Sequence, residues 1–125
     1  MYELLIITSF SSAHNLRGYQ GACENLHGHN WKVEVEVRSG GLDSLGMVVD
    51  FKSLKEKARG VIERLDHRYL NEVPPFDTEN ATAENLARHI FREISAAIGG
   101  GGFGDVRVSR VRVWESESAA ASYFE

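Results

Sequence analysis

From Trp31 to Arg38 the chain alternates without a break: Trp31, Val33, Val35 and Val37 take one parity, and Lys32, Glu34, Glu36 and Arg38 the other. Successive side chains of a strand point to opposite faces, so this stretch is satisfied only with one face on a core and the other in water. An antiparallel sheet covered on one side provides that environment. Tyr2 to Ser12, rich in Leu, Ile, Thr and Phe, reads as a second strand, and Gly40 and Gly41 end the first. After a short extended piece at Met47 to Val49, Asp50 is placed to cap a helix with apolar positions Phe51, Leu54, Ala58, Val61/Ile62 and Leu65, expected to close near Asp66 to Leu70. Pro74 and Pro75 interrupt the chain before Thr82 caps a second helix, with Leu86, Ile90, Ile94 and Ile98 on one face and Gly99 at its end.

Gly99 to Gly104 holds five glycines but lacks the Lys-Ser/Thr ending of a phosphate loop and follows a helix, so it reads as a connector. Val106 and Val108 share one parity and Val111 and Val113 the other, which predicts a bulge near Ser109 or Arg110 and leaves the facing of Glu115 open. Ala119 to Phe124 is expected to add a short last strand. The elements make one α+β domain over residues 1–125, with no internal repeat and no linker.

Composition narrows the function classes. With 42% hydrophobic and 26% charged residues the chain is an ordinary globular one, and no apolar run approaches the roughly 20 residues of a membrane span. Met1 to Ile7 reads as strand rather than secretory signal, which gives a cytoplasmic expectation. A net charge of −4 without a basic block argues against nucleic acid as partner and for a small molecule.

His27 and His29 flank Gly28, so on a strand both rings project to one side. His14 ends the first strand, and a hairpin with Asn15 to Leu26 as its connection brings it beside them. Three imidazoles with a fourth position open to water or substrate is the donor set of catalytic zinc, whereas structural zinc fills all four positions from protein. His89, inside the second helix with no partner at a matching spacing, reads as an ordinary helix-surface or packing histidine. Cys23, the single cysteine, has three readings left open: a reactive thiolate near the metal, a buried small hydrophobe, or a fourth ligand that closes the site. Asp66 and His67 are adjacent and suit a carboxylate-oriented imidazole; a histidine near a helix C-terminus is also a stabilising choice.

Five blocks together resemble a known family: Ser12-Ala13-His14, then Cys23-Glu24-Asn25-Leu26-His27-Gly28-His29, then Leu65-Asp66-His67-Arg68-Tyr69-Leu70-Asn71, then Thr82-Ala83-Glu84-Asn85, then Val113-Trp114-Glu115. In this order, and spread over nearly the whole chain, they are similar to the 6-pyruvoyl-tetrahydropterin synthases, and most of all to their 6-carboxy-tetrahydropterin synthase branch. The resemblance implies the tunnelling fold: a four-stranded antiparallel sheet with two antiparallel helices on one face, closing into a barrel as a trimer and stacking as a hexamer with active sites at subunit interfaces.

It further implies that His14, His27 and His29 bind Zn2+, that Cys23 transfers protons with Asp66 and His67 as partners, and that Glu115 holds the pterin ring, helped by backbone near Thr82 and Ala83 from a neighbouring subunit. The implied reaction converts 7,8-dihydroneopterin triphosphate to 6-carboxy-tetrahydropterin with release of acetaldehyde and triphosphate, on the route to queuosine. Glu24 complicates the branch, because relatives with a glutamate in this loop cleave dihydroneopterin toward 6-hydroxymethyl-dihydropterin; otherwise Glu24 is a solvated loop acid. The alternatives are therefore pyruvoyl-tetrahydropterin formation, folate-directed cleavage and, from another class, a zinc-stabilised binding module.

Overall fold

A computed structural model describes the backbone of residues 1–125 and every side chain except that of Cys23, which lies outside the described residues. Strands β1 (Tyr2–His14) and β2 (His27–Ser39) form a long hairpin, followed by helices α1 (Phe51–Ile62) and α2 (Ala83–Gly99) and by strands β3 (Arg107–Ser116) and β4 (Ala119–Tyr123). All neighbours are antiparallel in the order β1-β2-β3-β4.

The alternation in β2 is realised in full. Trp31, Val33, Val35 and Val37 are each 0% exposed, while Lys32 and Arg38 stand in solvent on the other face. Opposite them Ile6 pairs with Val35 and Phe10 with Trp31 on β1, and Val111 and Val113 face Val35 and Val33 from β3. The helices cover this face with Leu54, Ala58, Val61 and Ile62 of α1 and Leu86, Ile90, Ile94 and Ile98 of α2. Each such aliphatic side chain contributes about 1.5–3 kcal/mol on burial, so the apolar parity of β2 alone fixes which side of the sheet the helices occupy.

Caps form where expected. The Asp50 carboxylate accepts from the Lys52 amide and the Thr82 hydroxyl from the Asn85 amide. Two local expectations change. Helix α1 stops at Ile62 because the next residues are drawn to the edge of β1: the Ser12 hydroxyl donates to the Leu65 carbonyl, the Ser11 amide donates to Asp66 Oδ1 at 2.9 Å, and the His67 amide donates to the Ser11 carbonyl at 2.7 Å. Met47 to Val49 is not strand, because Asp43 Oδ1 accepts from the Leu45 and Met47 amides and folds the segment into a turn.

The bulge lies at Ser109. Glu36 pairs with Arg110 and Val37 with Val108, leaving Ser109 as the extra residue, its hydroxyl bonded to Glu36 Oε1 at 2.9 Å. One inserted residue inverts the parity downstream. Val111 and Val113 thus join Val108 on the covered face, and a second register shift, between Trp114 and Ser116 against β4, falls on Glu115. The glycine-rich segment is the expected connector between α2 and β3, with Gly101, Gly102 and Gly104 at positive φ. No helix is long and apolar enough to cross a membrane.

Candidate metal centre

Pairing of Ser12 with His29 and of His14 with His27 closes the β1–β2 ladder at one end of the sheet. His14, His27 and His29 have the parity of Phe10 and Trp31, so they continue the core face past Trp31 to the end of the ladder. His14 is 1% exposed; His27 and His29 are half-buried. Below them Trp31 packs edge-on against the rings of His14, at 5.1 Å, and His29, at 4.8 Å. Glu115 arrives from β3 on the same face, and one donor atom from each of His14, His27, His29 and Glu115 lies within 4.8 Å of all the others.

The hydrogen bonds decide which nitrogens look inward. His14 Nδ1 meets the Ala81 carbonyl at 2.8 Å and His27 Nδ1 meets the Asn25 carbonyl at 2.6 Å. A carbonyl only accepts, so both Nδ1 atoms carry protons and both neutral rings present Nε2 lone pairs. Those Nε2 atoms are 2.9 Å apart. His29 Nε2 is buried without a hydrogen-bond partner and lies 3.4 Å from Glu115 Oε1. Lone pairs and a carboxylate facing one another this closely form a donor set that a cation can bridge. A proton is the poorer choice: burial above all pushes His14 and His29 below the ordinary imidazole value, with neighbouring imidazoles adding to the shift and Glu115 opposing it. A metal ion satisfies all the donors with the rings neutral, and the residues fit one.

The preceding loop is tied to the body of the protein. Asn71 exchanges bonds with the Asn15 backbone at 3.1 and 2.9 Å, and the Arg17 guanidinium donates to the carbonyls of Phe76 and Asn71 at 3.0 and 3.1 Å. Asn80 pairs with both backbone groups of Arg17. Beyond this clamp a single 3-10 turn spans Ala22–Glu24, with Glu24 exposed, before the chain enters β2 at His27.

Residues 3–125 match the sequence model of the family described as 6-pyruvoyl tetrahydropterin synthase. The chain belongs to that family. A protein of Archaeoglobus fulgidus bearing the provisional name 6-carboxy-5,6,7,8-tetrahydropterin synthase is 42% identical over 120 residues, covering 94% of this chain and 93% of its own. The dihydroneopterin monophosphate aldolase of Pyrococcus furiosus is 37% identical over 113 residues, covering 90% and 89%. Among solved structures, the 6-pyruvoyl tetrahydropterin synthase of Caenorhabditis elegans superposes with a TM-score of 0.85 at 26% identity, over 99% of this chain and 95% of the other. The fold is accordingly the tunnelling α+β fold of the family.

Asp66, His67, Thr82 and Ala83 fall in two places. Asp66 and His67 lie on the outer edge of β1, not in the donor cluster, with Asp66 Oδ2 2.9 Å from His67 Nδ1. The Ser11 amide first, and His67 second, hold the Asp66 carboxyl below its ordinary range. His67 adopts φ 56° and its side chain is 82% exposed, so the pair is fixed at its base and open at its tip. Thr82 and the buried Ala83 begin α2 directly after Ala81, whose carbonyl orients His14, so within one subunit this segment already touches the cluster. His89 packs edge-on against Phe76 at 5.2 Å, as a packing histidine does.

Two participants had no counterpart in the sequence expectations. Ala81 and Asn25 act through backbone carbonyls, which no side-chain pattern reveals. Glu115 was expected at the pterin; it stands among the donors of the cluster as well, downstream of the Ser109 bulge and at a second register shift between Trp114 and Ser116.

Proposed function

We propose that this chain is a zinc-dependent enzyme that remodels the side chain of 7,8-dihydroneopterin triphosphate, yielding 6-carboxy-tetrahydropterin, acetaldehyde and triphosphate. The observation that carries the reading is the convergence of three imidazole nitrogens and a carboxylate at the open end of the β1–β2 hairpin. Relatives named 6-carboxy-5,6,7,8-tetrahydropterin synthase support the branch.

His14, His27 and His29 would hold the zinc, which when bound supplies Lewis-acid polarisation of the substrate's side-chain oxygens. The Ala81 and Asn25 carbonyls keep the Nε2 lone pairs of His14 and His27 directed at that point. Glu115 accepts two N–H bonds from the amidine-like edge of the pterin and so orients the ring. Cys23, from the clamped loop, takes and returns protons at the substrate side chain. Asp66, kept ionised, fixes the tautomer of His67 so that the exposed ring nitrogen can exchange protons. That nitrogen faces away from its own core, which suits a site completed by another copy of the chain, as do the exposed Leu5 and Ile7 on β1. We propose a hexamer of two stacked trimers in the cytoplasm.

A second reading rests on Glu24 beside Cys23 and on the 37% identical relative named as an aldolase. In that reading Glu24 serves as acid and base for cleavage to 6-hydroxymethyl-dihydropterin. Zinc-loaded protein incubated with 7,8-dihydroneopterin triphosphate decides between them: carboxypterin and acetaldehyde support the first, hydroxymethylpterin the second, and no turnover overturns both.

A further inference from the structure

Glu115 occupies two places at once in the site as described. Its assigned partner is the pterin edge, yet its Oε1 atom lies 3.4 Å from His29 Nε2 and 3.9 Å from His14 Nε2. Metal–nitrogen and metal–oxygen bonds of about 2.0–2.1 Å in a tetrahedron place neighbouring donors about 3.3 Å apart; Oε1 stands near that spacing from His29 and wider from His14, inside the 4.8 Å that spans the donor set. Its direction is set by the backbone: the Ser109 bulge turns Val111 and Val113, both 0% exposed, to the covered face, and a second register shift between Trp114 and Ser116 leaves Glu115 outside the β3–β4 pairing. The same carboxylate is 37% exposed, so it is not locked in place. A single carboxylate cannot use both oxygens on the pterin and keep a metal bond at full strength.

We infer that Glu115 is an exchangeable metal ligand, closing the coordination shell of the ion held by His14, His27 and His29 while the pterin site is empty and releasing it when the pterin ring binds. This rests on the metal and pterin-anchor roles proposed above and adds a coupling between them. The ring edge, remote from the reacting side chain, would then open the position that the side-chain oxygens need. The empty enzyme would in turn shield its metal from adventitious ligands. Linkage makes the coupling reciprocal, so metal loading weakens binding of a pterin that has only the ring edge to offer.

Cobalt(II)-substituted protein gives a readout independent of activity. Its visible absorption should change when 6-methylpterin, which has the ring edge but no side-chain oxygen, is added to the unaltered protein. Glu115→Gln and Glu115→Ala should show an altered spectrum from the start, no further change with 6-methylpterin, and zinc affinity lower by on the order of tenfold in chelator competition. Circular dichroism on the same samples verifies that both variants are folded; should Glu115→Ala unfold, the Gln variant carries the test. Spectra and zinc affinities equal to those of the unaltered protein overturn the inference, as does failure of the unaltered protein to bind cobalt. A parallel 6-methylpterin titration of zinc-free protein separates the two readings. Weakened pterin binding with an unchanged metal spectrum leaves Glu115 a pterin anchor only, whereas a changed spectrum with intact pterin binding leaves it a metal ligand only.

Discussion

His14 and His27 face each other across the last pair of the β1–β2 ladder with their Nε2 atoms 2.9 Å apart, and each ring is pinned through Nδ1 to a backbone carbonyl. Two neutral imidazoles so fixed repel through their lone pairs, and a cation between them turns that repulsion into attraction. The site is preorganised for an ion before the ion arrives, with β-pairing supplying the alignment.

Replacing His29 with Ala should remove most of the bound zinc, because two histidines cannot supply the three protein ligands of a catalytic site. Zinc per subunit after desalting checks this. Full occupancy in the variant would show that the ligand set is wrong.

Protons should compete with folding in the metal-free protein. His14, His29 and His89 titrate below the ordinary 6.5 in the folded state, burial being the largest cause for each. The unfolded chain then binds more protons as pH falls, so the stability present above about pH 6.5 is lost as pH drops through the folded values. Asp66 and Asp105, held below the ordinary carboxylate range by their hydrogen bonds with Ser11 and Ser39, stay charged in this window. The melting temperature in chelator should fall between about pH 7.5 and about pH 5.5. A flat profile would refute the argument.

Cys23→Ala should keep the zinc and the assembly while turnover falls by about two to four orders of magnitude, the usual contribution of a positioned proton-transfer group. If Cys23 were a fourth ligand in a structural site, zinc affinity and melting temperature would fall together. Asp66→Asn and His67→Ala should slow turnover without stripping metal. Zinc content and product formation on one sample separate these outcomes, and near-normal activity of Cys23→Ala would overturn the proton-transfer role.

Glu24→Ala should reduce formation of hydroxymethylpterin more than formation of carboxypterin. Both products are quantified by mass from a single incubation. An equal fall in the two would reduce Glu24 to a loop acid.

Light scattering at working concentration should give six copies. A lone subunit leaves β1 and β4 as sheet edges and Leu5 and Ile7 in water, which a closed barrel would cover. A monomer would count against the interfacial role of Asp66 and His67 as well as against the assembly.

Much of this was legible in the chain itself. The parity of Trp31 to Arg38, the helical spacing of Leu86 to Ile98, the caps at Asp50 and Thr82 and the hairpin joining His14 to His27 and His29 follow from side-chain period and capping chemistry, which are local and written in residue type. The identity of the ring partners was not legible, because Ala81 and Asn25 hold His14 and His27 by carbonyls that every residue possesses. Nor was the end of α1, where Ser12 and Ser11 of β1 claim groups of Leu65 and Asp66 from 53 and 55 residues away. The facing of Glu115 belongs with these. The valine parities announced a bulge, but only cross-strand pairing fixed the extra residue at Ser109, and a second register shift between Trp114 and Ser116, which no parity announced, falls on the carboxylate that stands beside the histidines. Sequence determines the period of each strand; the register between strands is a property of the assembled sheet, and here it decides which residues share a site.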